Sequence, residues 1–172
     1  MIENLKNDCG NLMTSIKLEY WQDVFGKSDA FYVVIGDKNT TKKAEKKHEA
    51  AYTFIIENQD IILDNIFLGY FDEYRQNRSL MNMGGAKSTK KYLPQVKTDN
   101  DIKRYIIPSC INILDVEADG QSYVVFRFVS QLESLGDVSV LMHKDRVIIF
   151  EYNGIVDIDK FAKNDSKNRM GA

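Results

Sequence analysis

Imidazoles and thiols, the first side chains to weigh for proton transfer or nucleophilic attack, are few in this chain: His48, His143, Cys9 and Cys110. A general base needs a positioned partner, and a nucleophile needs an activating neighbour; neither pairing is visible along the chain. His48 sits in Lys46-Lys47-His48-Glu49 near the start of a helical segment, and that charged setting predicts a solvated surface position. His143 closes a strand before a tight turn and alternates with Leu141. Its position predicts either a hydrogen-bonded residue at a sheet edge or part of a recognition surface. The cysteines form no CxxC motif and have no nearby histidine pair, so they suggest neither a disulfide framework nor a zinc site. Nothing resembles a nucleophile elbow. An enzyme built on His143 and neighbouring carboxylates is the least favoured reading.

Carboxylates at a spacing of two, Asp99 with Asp101 and Asp157 with Asp159, would share one face of a strand and could hold a cation. Turn and cap chemistry is the commoner use of such pairs, and no metal or other cofactor is expected. The stretch Gly84-Gly85-Ala86-Lys87-Ser88-Thr89 has a phosphate-loop look but lacks the full glycine spacing. Charge is segregated along the chain. Asp115, Glu117, Glu133, Asp137 and Asp145 load the C-terminal part with acid, while Lys87, Lys90 and Lys91 make the centre basic. Segregated charge speeds and orients docking on a complementary protein. These eight residues, with His143, are the candidate partner-binding set.

The elements that must position these groups follow from periodicity. Ile111–Glu117, Tyr123–Val129, Val138–His143 and Arg146–Tyr152 read as a four-strand antiparallel meander. Upstream, alternation over Thr14–Trp21 and the apolar run Ala30–Ile35 predict two more strands joined like a hairpin. Between the two strand groups, Lys42–Tyr74 reads as one long helix, capped by Thr40 or Thr41. Its apolar stripe runs through Ala51, Phe54, Ile55, Asn58, Ile61, Ile62, Asn65 and Leu68. Residues 77–98 lack periodicity and read as a mobile loop, except that Asp99–Ile106 could form one or two helical turns capped by Thr98. The tail from Asn164 is polar and expected to fray.

The fold expected is therefore α+β over residues 1–172 as one domain: an antiparallel sheet of about six strands with one long helix on a face. A hydrophobic share of 44% and a charged share of 28% are those of a soluble globular protein. A net charge of -2 gives no global field for nucleic acid. No apolar run reaches the ~20 residues needed to span a bilayer, and the start lacks the pattern of a signal peptide. A cytoplasmic location is expected.

Leu141-Met142-His143-Lys144-Asp145-Arg146-Val147-Ile148 resembles the closing hairpin of a family of small bacterial domains of unknown function. Glu49–Gln59 resembles that family's helix, and Ile113–Val116 with Tyr123–Phe128 its preceding hairpin. The resemblance spans roughly Ala50 to Phe150. It implies an immunity protein, since relatives of this general type are linked to polymorphic toxin systems. Family members commonly carry an acidic His-Gly stretch before the closing hairpin, where this chain has Glu133-Ser134-Leu135-Gly136-Asp137 and no histidine. No catalytic residue carries over.

The function expected is a non-catalytic protein-binding module that neutralises a cognate toxin, as a monomer or as a homodimer through a sheet edge. The alternative is a small-molecule or anion-binding domain with the 81–91 loop as lid.

Overall fold

Alternating apolar residues build the sheet that organises the chain. The computed structural model describes residues 2–27, 29–83, 96–131, 137–152, 154 and 157–170, and of 77–83 and 170 the backbone alone. Among them the strands are β1 Lys6–Asp8, β2 Asn11–Ile16, β3 Phe31–Ile35, β4 Ile106–Ala118, β5 Gln121–Ser130, β6 Val138–His143 and β7 Arg146–Tyr152. They lie side by side in sequence order. Every neighbouring pair is antiparallel except β3–β4, which is parallel.

The meander is as expected, and the rest of the sheet is larger than expected. It has seven strands rather than about six and is mixed rather than purely antiparallel. A parallel pair needs a long crossover; here it holds α2 Lys46–Glu57, α3 Gln59–Met83 and a short 3-10 helix, Asp99–Arg104. Asp119 and Gly120, both at positive φ, close the β4–β5 hairpin. Asp-Gly is the pair that such a two-residue turn favours.

Thr14–Trp21 is not one strand. β2 ends at Ile16, and α1 Glu19–Phe25 follows, so a helix intervenes before β3. Leu18, Trp21 and Phe25 recur at helical spacing, and Gly26 in the left-handed region ends the segment. Trp21 is fully buried among Phe25, Phe31, Phe126 and Phe128. Its indole N–H donates to the Gln59 carbonyl at 2.7 Å, tying α1 to the start of α3.

The single long helix is two. Asn58 leaves helical geometry at φ −125 and ψ 28, and its side-chain amide donates back to the Phe54 carbonyl. An Asn that bonds local backbone competes with helix continuation. The break resets the phase of the apolar stripe. Ala51, Ile55 and Ile62 are buried as expected, but Ile61 is 47% and Leu68 52% exposed. On α3 the buried face is instead Ile62, Leu63, Ile66, Phe67, Tyr70 and Tyr74. Nor does the helix begin at Thr40 or Thr41. Glu45 caps α2 through a reciprocal capping box with His48.

Residues 77–83, expected in a loop, continue α3, and Thr98 caps the 3-10 helix as expected. Residues 84–91 of the expected lid lie outside the described residues. The tail is not frayed: α4 spans Ile158–Met170.

Two apolar clusters flank the sheet. The larger unites α1, α2 and α3 with Val33, Ile35, Ile111, Ile113, Phe126 and Val140 on the front face. The smaller, on the back face, seats Ile158 and Ala162 of α4 against Leu114, Ala118, Tyr123, Val125 and Leu141. α3 comes so close to β7 that a Cβ at Gly69 would lie 2.7 Å from the Phe150 ring.

Candidate functional site

Three places gather the polar chemistry of the chain, and the first surrounds His48. The ring is wholly buried, contrary to its expected surface position. Its Nδ1 accepts the Glu45 amide at 3.0 Å, so Nε2 carries the proton and donates to Asp115 Oδ1, also at 3.0 Å. Asp115 sits in an irregular stretch of β4. Its Oδ2 accepts the Thr41 hydroxyl at 2.6 Å and the Asp37 amide at 2.9 Å, and its carbonyl accepts Lys47 Nζ at 2.8 Å.

Burial, helped by Lys47 and opposed by Asp115 and Glu45, holds the His48 pKa below its ordinary value. Burial pushes the Asp115 carboxyl upward, but the Thr41 and Asp37 hydrogen bonds, with His48 and Lys47, bring it below the usual range. Hydroxyl, carboxylate and imidazole are all present, yet in the wrong order for nucleophilic catalysis. The carboxylate stands between the other two, and both ring nitrogens are occupied, so the imidazole cannot take a proton from Thr41. The cluster fastens the start of α2 and the Asp37–Thr41 turn to β4.

The second place surrounds His143. It lies not at a sheet edge but on β6, between β5 and β7, and is only 1% exposed. Nε2 donates to the Ala118 carbonyl at 2.9 Å, and Nδ1 accepts Arg169 Nη1 at 3.2 Å. Arg169 also reaches Asp119 at 2.8 Å, while Asp165 accepts Tyr123 Oη at 2.7 Å and pairs with Arg146. Ser166 Oγ donates to the Glu117 carbonyl at 2.6 Å. These bonds staple the last turns of α4 to two hairpins. Burial, with Arg169 and Lys144, lowers the His143 pKa against the pull of the Ala118 and Gln121 backbone.

The remaining acidic candidates do not converge. Glu117 and Asp145 are exposed near one end of the sheet and Asp137 precedes β6 at the other. Asp119, from the same acidic stretch, is neutralised locally by Arg169 and Lys144. The charge segregation seen along the chain is thus partly cancelled in space, because α4 returns cations to the acidic hairpins. Glu133, Lys87, Lys90 and Lys91 lie outside the described residues. Among the described residues, no group of three or more His, Cys, Asp or Glu is placed to hold a metal ion, and no helix is long and apolar enough to cross a membrane.

The third place is the back face of the sheet beyond α4, which sequence reasoning missed. A cross-strand row runs Ser15, Tyr32, Cys110, Arg127, Ser139, Glu151. Beside it, Met13, Val34 and Asn112 continue the row that passes beneath α4 as Val125, Leu141 and Ile149. Tyr32 is 64% exposed, and the cross-strand pair Ile107 and Val129 is 36% and 45% exposed. Tyr32 forms a ridge between two depressions. One, of about 200 Å³, is edged by Lys6, Asp8 and Met13; the other, of about 420 Å³, by Lys27, Asp29 and Pro108. The available signal was alternation within β3: Phe31, Val33 and Ile35 are buried and Tyr32 is not, which a uniformly apolar run conceals.

A model of the DUF6985 family, a domain of unknown function, matches residues 9–152. The chain belongs to the DUF6985 family. Within this DUF6985 chain the match runs from just before β2 to the last residue of β7. It contains the His48 site, His143 and Tyr32, whereas β1 and α4, with the Arg169 that bonds His143, fall outside it. No curated protein and no solved structure matches the chain.

Proposed function

We propose that this DUF6985 protein is a non-catalytic binding module of the immunity type, which docks a cognate toxin and blocks its active site or substrate path. The observation carrying this reading is the exposed Tyr32 end of the back face. An exposed aromatic ridge stands between two depressions with charged rims, while both imidazoles are consumed by internal hydrogen bonds. Tyrosine supplies a large contact area at small entropic cost and recurs as an interface anchor. A location in the cytoplasm belongs to the same reading. A homodimer through a sheet edge would use β7, because β1 offers only three exposed residues.

The test is co-purification and titration of the protein with the product of a neighbouring toxin-like gene, together with protection of cells expressing that toxin. Binding at micromolar concentration or tighter is expected. Tyr32→Ala should weaken it by about 2 kcal/mol, roughly thirtyfold. Absence of both binding and protection sinks the immunity reading. Full binding by the Tyr32 variant would instead move the interface off this face.

A further inference from the structure

α4 lies outside the family match yet is held by one of the two buried histidines. Groups face the His143 ring from every element packed around it. The β4–β5 hairpin contributes the Ala118 carbonyl, the Gln121 backbone, Asp119 beyond Arg169, and the Tyr123 ring with its centroid 4.6 Å away. The β6–β7 turn contributes Lys144, with Arg146 one step removed through Asp165, and α4 contributes Arg169 and Asp165. Among the described residues no carboxylate bonds either ring nitrogen. Nδ1 is an acceptor, and what it accepts is a guanidinium N–H.

A proton on Nδ1 therefore has two consequences at one atom. It sets donor against donor, and it puts a second cation in a site already holding Arg169, where Coulomb repulsion is poorly screened. Arg169 has somewhere to go: it is about one-third exposed, and water can hydrate it. We infer that the last turns of α4 form an acid-released latch, in which protonation of His143 displaces Arg169 and frees residues 165–169 from the two hairpins.

The experiment is fragment-resolved amide exchange of the full chain from pH 7.5 to 5, corrected for intrinsic exchange. The chain has only two histidines, so each can be removed in turn. Once pH falls below the ordinary histidine pKa of about 6.5, the opening constant of residues 165–169 should climb, approaching tenfold per pH unit, while β5 and β6 stay protected. His143→Gln keeps a donor for Ala118 and an acceptor for Arg169 without a titrating proton, and should flatten the profile. His48→Gln should leave it steep. Arg169→Gln offers a second route if His143→Gln fails to fold: it removes the neighbouring cation and should shrink the slope. A flat wild-type profile, or an unchanged slope in either the His143 or the Arg169 variant, overturns the latch.

Discussion

His48 and His143 are alike in burial and in the use of their ring nitrogens, and opposite in the property that matters under acid. Both rings are almost wholly enclosed, both carry their proton on Nε2, and both use Nδ1 as an acceptor. His48 gives its proton to a carboxylate and accepts a backbone amide; His143 gives its proton to a backbone carbonyl and accepts a guanidinium. An imidazolium at His48 would face Asp115, an opposite charge that offsets part of its desolvation. At His143 it would face Arg169, a like charge that adds to it. Acid costs stability at both sites, and at His143 the nearest charge adds to that cost.

The most damaging way to break this contrast is to remove the carboxylate. Asp115→Ala strips the acceptor from His48 and Thr41 and leaves the Asp37 amide only the Thr41 hydroxyl oxygen. Buried donors left unpaired cost more than the bonds themselves contributed, so a loss of about 3 kcal/mol at neutral pH is expected from urea unfolding. His48 in that variant should also become as acid-averse as His143. A drop under 1 kcal/mol would mean that solvent replaces Asp115 readily.

The wild-type pH profile sharpens the contrast next. Both histidine pKa values are lowered in the fold, so each contribution is whole above about pH 6.5 and is lost as pH falls toward the folded value. Asp115 and Asp165 are lowered too, and their contribution is lost only as pH falls below about 4. Unfolding midpoints from pH 8 to 3 should therefore decline in two stages. His143→Gln should remove more of the upper stage than His48→Gln, because Asp115 offsets the shift at His48. Equal effects would show that the neighbouring charges do not separate the two sites.

What could be read beforehand follows the same division between local and distant causes. The meander was legible because β-branched and aromatic runs ending in Asp119-Gly120 carry their own turn chemistry. His48 was half legible. It lies three residues before Ala51 and seven before Ile55, on the buried stripe of α2, but its charged neighbours masked that phase. Its partner is 67 residues away in sequence, and no local pattern points to it. α4 was illegible for a further reason. Apart from Ile158 and Ala162, what holds it to the sheet is polar: Asp165, Ser166 and Arg169 meeting carbonyls and charges on the hairpins. A helix whose docking is mostly polar has the composition of a loose tail.

That polar docking allows the finest test. Ser166 is buried at 4% exposure and donates to the Glu117 carbonyl, a bond in which His143, Arg169 and Asp119 take no part. Ser166→Ala removes one neutral hydrogen bond, worth about 1 kcal/mol, and so should raise the opening of α4 roughly fivefold. Because no titrating group shares that bond, the increase should be the same at pH 7.5 and pH 5. His143→Gln should do the reverse, leaving opening at pH 7.5 nearly unchanged and altering only its dependence on pH. If the two variants gave the same profile, α4 would be merely a weakly held helix, and the difference between the two imidazoles would have no mechanical consequence.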